Sequence, residues 1–269
     1  MLVKDIMVKE LFTVDKDDFV SYAIELMTKK RVSRLLVVDK GKLAGIITEK
    51  DIVDRLGSSK TKSLPASGVH VSGVMSDNPL TVTPNTDVVD AAKIMIDKQI
   101  SSLPVIENGE LLGVITKSTM TRLCLRIDNI FVGQIMTKSP ITTTPFDRIV
   151  NVRRIMLERN ISSLPVVEGG KLVGMITEGQ IALYLAQFRD NVPGKHQEER
   201  IRRVDVEEIM QKTPTKLHPD KKVSYAAELM RKERVKSLPI INYEERLNGI
   251  LTKTDFTRLV ANKFTVQKK

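Results

Sequence analysis

The sequence predicts an α+β protein built from four copies of one β-α-β-β-α unit. Three observations lead there. Methionines recur at fixed spacing down the chain. A glycine-to-threonine ending recurs at matching distances from them. Apolar runs around short polar turns alternate with segments of helical period.

The copies open at Met7 ("DIM"), Met75 ("GVM"), Met136 ("QIM") and Met210 ("EIM"). A second methionine follows 20 residues later in each, at Met27, Met95, Met156 and Met230. The threonine of a "G-h-h-T" pattern follows 21 later at Thr48, Thr116 and Thr177, and 22 later at Thr252. The extra residue falls in the turn, where "DKGK", "ENGE" and "EGGK" become "NYEER". A repeated fold tolerates an insertion at a hairpin tip.

Within a unit, a short extended piece comes first: "LFTV", "PLTV", "PITT" or "PTKL". An amphipathic helix follows, its start marked by polar residues such as Asp17, Asn85 or Asp220. Two apolar strands then flank a tight turn, as in "LLVVDKGKLAGIIT". A second helix is entered at the threonine. A unit of about 55 residues is small for its own core, and strands this apolar want cover on both faces. Four units should therefore form two pairs. The expected repeats are 1–57, 69–126, 130–187 and 204–264, paired as 1–126 and 130–264. The segment 56–68 is a Ser-, Lys- and Gly-rich linker. The segment 188–203 is a charged connector, expected to be helical after Pro193.

The opening "h-x-x-h-M", the strand "h-S-x-L-P-V-V", the hairpin and "G-h-h-T-x-x-D" together resemble a CBS domain. Four such units in one chain resemble the γ regulatory subunit of AMP-activated protein kinase and its archaeal relatives. The resemblance implies two Bateman modules in a flat disc, with adenine nucleotides held in clefts between paired repeats. It implies a non-catalytic regulatory chain that senses AMP, ADP or ATP and signals to a regulated protein, a kinase or other enzyme. The repeats occupy nearly all of the sequence, so no catalytic unit is expected.

The stretch "GIITEKD", Gly45 to Asp51, concentrates the question of function. Thr48 and Asp51 are spaced as a helix capping box, which needs no ligand. Capping predicts a carboxylate or amide at the fourth position of each unit. Asp51, Gln180 and Asp255 fit, and Thr119 does not. The same carboxylate could instead accept both hydroxyls of a ribose, while the helix N-terminus suits a phosphate. The two roles can coexist. The resemblance carries ribose binding to Thr48 with Asp51 and to Thr252 with Asp255. Thr116 and Thr177 match, but their partners Thr119 and Gln180 make poorer sites. In the γ-subunit pattern a basic residue before the hairpin reaches phosphate. Arg34 aligns with it, Lys236 lies one position earlier, and Arg31 and Arg234 are close by. Serines hold these places in units two and three, at Ser101, Ser102, Ser162 and Ser163. Candidate walls for adenine are Val14, Val32, Leu35 and Ile47 in unit one, and Leu217, Val235, Leu238 and Leu251 in unit four. Each of these also reads as plain core.

Composition narrows the alternatives. Of 269 residues, 41% are hydrophobic and 28% charged, ordinary for a globular protein. No run of about 18 apolar residues suggests a membrane span, and no secretion signal opens the chain, so a cytoplasmic protein is expected. A single cysteine, Cys124, excludes an internal disulfide or a cysteine cluster for metal. No glycine-rich phosphate loop or nucleophile–base spacing marks an enzyme. Net charge is +10, with +1 in residues 1–130 and +9 in residues 131–269. This bias attracts phosphates, acidic surfaces or nucleic acid. Aromatic residues are only 4% and tryptophan is absent, which disfavours stacking on nucleic acid. S-adenosylmethionine shares the adenosine but is cationic at sulfur, and Arg34 and Lys236 oppose it. Exposed module faces fit a homodimer.

Overall fold

The computed structural model describes residues 1–58, 65–192 and 194–266. Residues 59–64 of the expected linker, and Pro193 of the connector, lie outside the described residues.

Each repeat has the expected helix, hairpin and second helix, but the opening extended piece is a strand only in the first and a single parallel bridge in the others, Val82 to Val105, Thr143 to Val166 and Leu217 to Ile240. The first contains β1 (Thr13–Asp15), α1 (Val20–Lys30), β2 (Arg34–Asp39), β3 (Lys42–Thr48) and α2 (Glu49–Leu56). The second has β4 (Ser76–Asp77), α3 (Val88–Asp97), β5 (Ser102–Glu107), β6 (Glu110–Thr116) and α4 (Lys117–Leu123). The third opens with a short α5 (Val132–Ile135) and β7 (Thr137–Lys138). It continues through α6 (Ile149–Arg159), β8 (Ser163–Glu168), β9 (Lys171–Thr177) and α7 (Glu178–Asn191). The connector helix α8 (Gly194–Ile201) precedes the fourth, with α9 (Val223–Glu233), β10 (Ser237–Ile241), β11 (Leu247–Thr252) and α10 (Lys253–Val266). α7 runs on into the connector. The first helices begin after residues 19, 87, 148 and 222, later than the polar marks at Asp17, Asn85 and Asp220. Asp18 instead ties a turn upstream, accepting from the Asp15 amide at 2.8 Å.

The hairpins close through two consecutive residues of positive φ: Lys40 and Gly41, Asn108 and Gly109, Gly169 and Gly170. That geometry matches the right-handed twist of the flanking strands. In the fourth repeat the inserted residue is absorbed at the tip, where the Asn242 side-chain oxygen accepts from the Glu244 and Arg246 amides.

Pairing works by exchange. β4, which opens the second repeat, runs antiparallel to β3 of the first, and Val8 bridges Val114 on β6 in return. β7 pairs with β11, and Gln211 bridges Met175 on β9. Each opening methionine thus lands on the partner's "G-h-h-T" glycine. A Cβ on Gly45 would stand 2.8 Å from the Ser76 carbonyl oxygen and 2.9 Å from Met75 Sδ. Gly249 meets the Thr137 carbonyl and Met136 in the same way, at 2.8 Å each. Two recurrent marks of the sequence, one Met and one Gly per unit, are the two sides of one contact.

The cores run the other way. One apolar cluster joins repeats one and three, with Leu35, Ile47 and Ile52 against Met156, Ile176 and Ile181. A second joins repeats two and four, with Met95, Leu103 and Ile115 against Met230, Leu251 and Phe256. α2 packs on α7, and α10 on α3 and α4. Sheets bind repeats within a module and helices bind the modules to each other, so the four repeats close into a disc. Cys124 is fully buried in the second cluster, an ordinary core residue.

Candidate functional site

All four "T-x-x-[D/T/Q]" positions cap a helix. In the first repeat, Asp51 Oδ2 accepts from the Thr48 amide at 2.8 Å and from Thr48 Oγ1 at 2.6 Å. Thr48 Oγ1 accepts from the Asp51 amide at 3.2 Å. Gln180 does the same work for Thr177, and Asp255 Oδ2 accepts from the Thr252 amide and hydroxyl. Thr119 also forms the reciprocal pair, with Thr116, at 3.2–3.3 Å. The sequence reading set Thr119 aside, but a hydroxyl both accepts and donates and so completes the box.

The two carboxylates differ in their second oxygen. Asp51 Oδ1 has one weak partner, the Ser76 hydroxyl at 3.5 Å. Asp255 Oδ1 is held by Arg258 Nη1 at 2.9 Å. Burial raises the pKa of both groups above the ordinary aspartate value, against their hydrogen bonds from Thr48 and Thr252.

Two cavities contain most of the candidate residues. One, of about 550 Å³, includes Thr48, Asp51 and Thr252. Its apolar lining is Ile46 from the first repeat with Pro79, Leu80 and Ile100 from the second. Ser101, Ser102 and Ser162 also line it. The other, of about 690 Å³, includes Thr116, Thr177, Gln180, Arg31, Val32, Arg234 and Val235. Arg34, Lys236, Lys253 and Glu49 line both.

This arrangement corrects the expected grouping. Arg34 lines the Asp51 cavity, as expected, but Lys236, expected with Asp255 in a separate site, lines that same cavity. The exchange of opening segments gives each cleft a second wall from its partner repeat, and Arg34 and Lys236 meet at the disc centre. Lys236 pairs with Glu49, and Arg34 Nη1 donates to the Ser101 carbonyl at 2.5 Å. Val32 and Val235 line the larger cavity, away from Asp51. Val14, Leu35, Ile47, Leu217, Leu238 and Leu251 are buried in the two cores and line neither cavity. Ser163 is buried against Ser237, hydroxyl to hydroxyl at 2.7 Å. Asp255 lines neither cavity.

The structure adds two sets of residues to the site, of which only Arg31 and Arg234 were marked in the sequence, as basic residues close to the phosphate-reaching positions. The residue after each threonine is charged and alternates in sign: Glu49, Lys117, Glu178, Lys253. These first-turn residues converge, and Lys117 reaches Thr254 while Lys253 reaches Ser118, at 3.0 and 2.9 Å. Burial pushes both lysines down to about 8, Arg34 down to about 10 and Glu178 up to about 7. The second set ends the first helices. Arg31, Gln99, Asn160 and Arg234 all take left-handed backbone conformations, φ 51° to 55°, and all line a cavity. Non-glycine residues there are uncommon and cluster where function constrains the chain. The four-fold recurrence of both positions was the available signal.

Four exchanged β-α-β-β-α units with clefts at their threonine-capped helices define a class, and the chain belongs to the CBS-domain family. The family's pattern matches residues 3–58, 71–126, 132–187 and 206–262. Among particular proteins, it is similar to protein MJ1225 of Methanocaldococcus jannaschii, 29% identical over 271 residues, covering 94% of this chain and 96% of that one. The crystal structure of MJ1225, described as a proposed archaeal homolog of g-AMPK, matches with a TM-score of 0.84 at 28% identity, covering 96% of this chain and 99% of that chain. A 33.4 kDa protein from a ribosomal RNA operon of Thermofilum pendens is 26% identical over 253 residues, covering 87% and 82% of the two chains. Among the described residues, no helix is long and apolar enough to cross a membrane.

Proposed function

We propose that this CBS-domain regulatory protein is a non-catalytic sensor that binds AMP, ADP or ATP and signals to a protein partner. The observation that carries the reading is the cleft at Asp51. One carboxylate oxygen is spent on the helix cap, and the other has only a 3.5 Å contact from Ser76. That oxygen can accept from the two hydroxyls of a ribose. Ile46, Pro79, Leu80 and Ile100 offer adenine an apolar slot. Arg34, Lys117, Lys236 and Lys253 offer phosphate a half-buried cationic centre. The likeness to a protein described as a proposed homolog of g-AMPK supports the same reading. A nucleotide lodged between two repeats favours one relative arrangement of them through its differential affinity, and a partner can read that shift.

The test is calorimetric titration with AMP, ADP, ATP and S-adenosylmethionine, beside Asp51→Ala. Micromolar binding of a phosphate-bearing nucleotide, weakened at least about tenfold in the variant, supports the reading. Preference for S-adenosylmethionine would assign Glu49 and Glu178, not the cations, as the selecting groups. Silence from all four would leave the threonine–aspartate pair as a cap alone.

A further inference from the structure

Among the described residues, Glu178 is the buried acid that lines a cavity. It is the first residue of α7, its exposure is 7%, and it lines the Asp51 cavity. Glu49, its counterpart in repeat one, is neutralised by Lys236. Among the described residues, the Glu178 carboxyl makes no hydrogen bond or ion pair. Its oxygens keep access to the cavity, so a largely desolvated acid without a partner is open to whatever enters there.

Its surroundings are mixed. Lys236 lies before β10, and Glu49, Lys50 and Asp51 are in the first turn of α2. Arg34, on β2, is also within electrostatic reach. Lys98, Lys117 and Lys253 line the same cavity. The cations draw a phosphate toward this centre, and an ionised Glu178 would repel it. A protonated carboxyl would instead donate its O–H to a phosphate oxygen.

We propose that Glu178 is a specificity-determining residue that makes phosphate binding in the Asp51 cavity proton-coupled: a proton from solvent joins its carboxylate as the ligand's phosphate arrives. The inference rests on the nucleotide reading of that cavity. Burial, opposed by Lys236 and Lys50 and helped by Glu49 and Asp51, holds the group at about 7, so near neutrality it is poised to take the proton. Affinity for a phosphate-bearing ligand then falls as pH rises above 7, by up to about tenfold per unit for each proton taken up. The discrimination is by charge, and each added phosphate feels an ionised Glu178 more strongly.

The experiment is titration of the full chain with AMP between pH 6.5 and 8.5, in buffers of different ionisation enthalpy, which counts the protons exchanged. Because the AMP phosphate itself titrates, the readout is the difference between wild type and Glu178→Gln. The expected result is net uptake of up to about one proton in wild type relative to the variant. Glu178→Gln should retain AMP binding, flatten the pH profile, and gain affinity more for ATP than for AMP. Glu178→Asp keeps an acid and should restore the proton linkage. AMP binding with the same proton count in wild type and Glu178→Gln overturns this inference alone. No AMP binding at any pH overturns it together with the nucleotide reading.

Discussion

At the residue scale, Asp51 does two jobs with two oxygens, and substitution can separate them. Asp51→Asn keeps an oxygen for the Thr48 amide, so stability in urea should change by only a few tenths of a kcal/mol. Asp51→Ala removes the acceptor and should cost about 1 kcal/mol. Both should weaken a ribose-bearing ligand, because the charged acceptor is gone. Equal stability of the two variants would show that the cap contributes little. Glu178 gives a ligand-free counterpart. Its folded pKa of about 7 stands above the ordinary 4.5, so the folded state binds the proton more tightly. The resulting stabilisation is present below about 4.5 and is lost as pH rises through about 7. Glu178→Gln should therefore become more stable relative to wild type as pH is raised from 5 to 8, in paired denaturation curves.

At the scale of elements, the decisive contact is the opening segment laid on a partner's strand. The hydrogen bonds Val8 to Val114 and Gln211 to Met175, each made in both directions at 2.8–3.0 Å, hold it there. Gly45 lets β4 approach. Gly45→Ala would drive a methyl into the Ser76 carbonyl and should destabilise by about 1–3 kcal/mol. Combining it with Met75→Ala should restore little, because the carbonyl remains in the way. Full recovery in the double variant would instead place the conflict on the methionine. The spacing of methionine, glycine and threonine was legible in the sequence. That the methionine of one unit touches the glycine of another was not, since periodicity describes a unit and says nothing of which copy supplies its neighbour.

At the scale of the whole molecule, each repeat completes its sheet with one neighbour and its core with another. Met156, fully buried, lies in the core that joins repeats one and three. Met156→Ala should cost about 2–5 kcal/mol and loosen α2 in the first module as well as α6 and α7 in the second. Hydrogen exchange on those helices reads this directly. Loss of protection confined to the second module would mean the modules are independent bodies.

Local chemistry determined the units, their elements and the capping role of the threonines, because turn residues, helix caps and apolar period act within a few residues. The positions of Thr48, Asp51, Arg34 and Lys236 were likewise marked by sequence alone. Which of them share a cavity was decided only when the chain folded. Exchange gave the Asp51 cleft its apolar wall from Pro79, Leu80 and Ile100. Closure of the disc brought Arg34, Lys236, Lys253 and Glu178 to one centre. The reason is physical: a charge is read locally as a solvated side chain, and only burial beside residues from distant repeats turns it into part of a site.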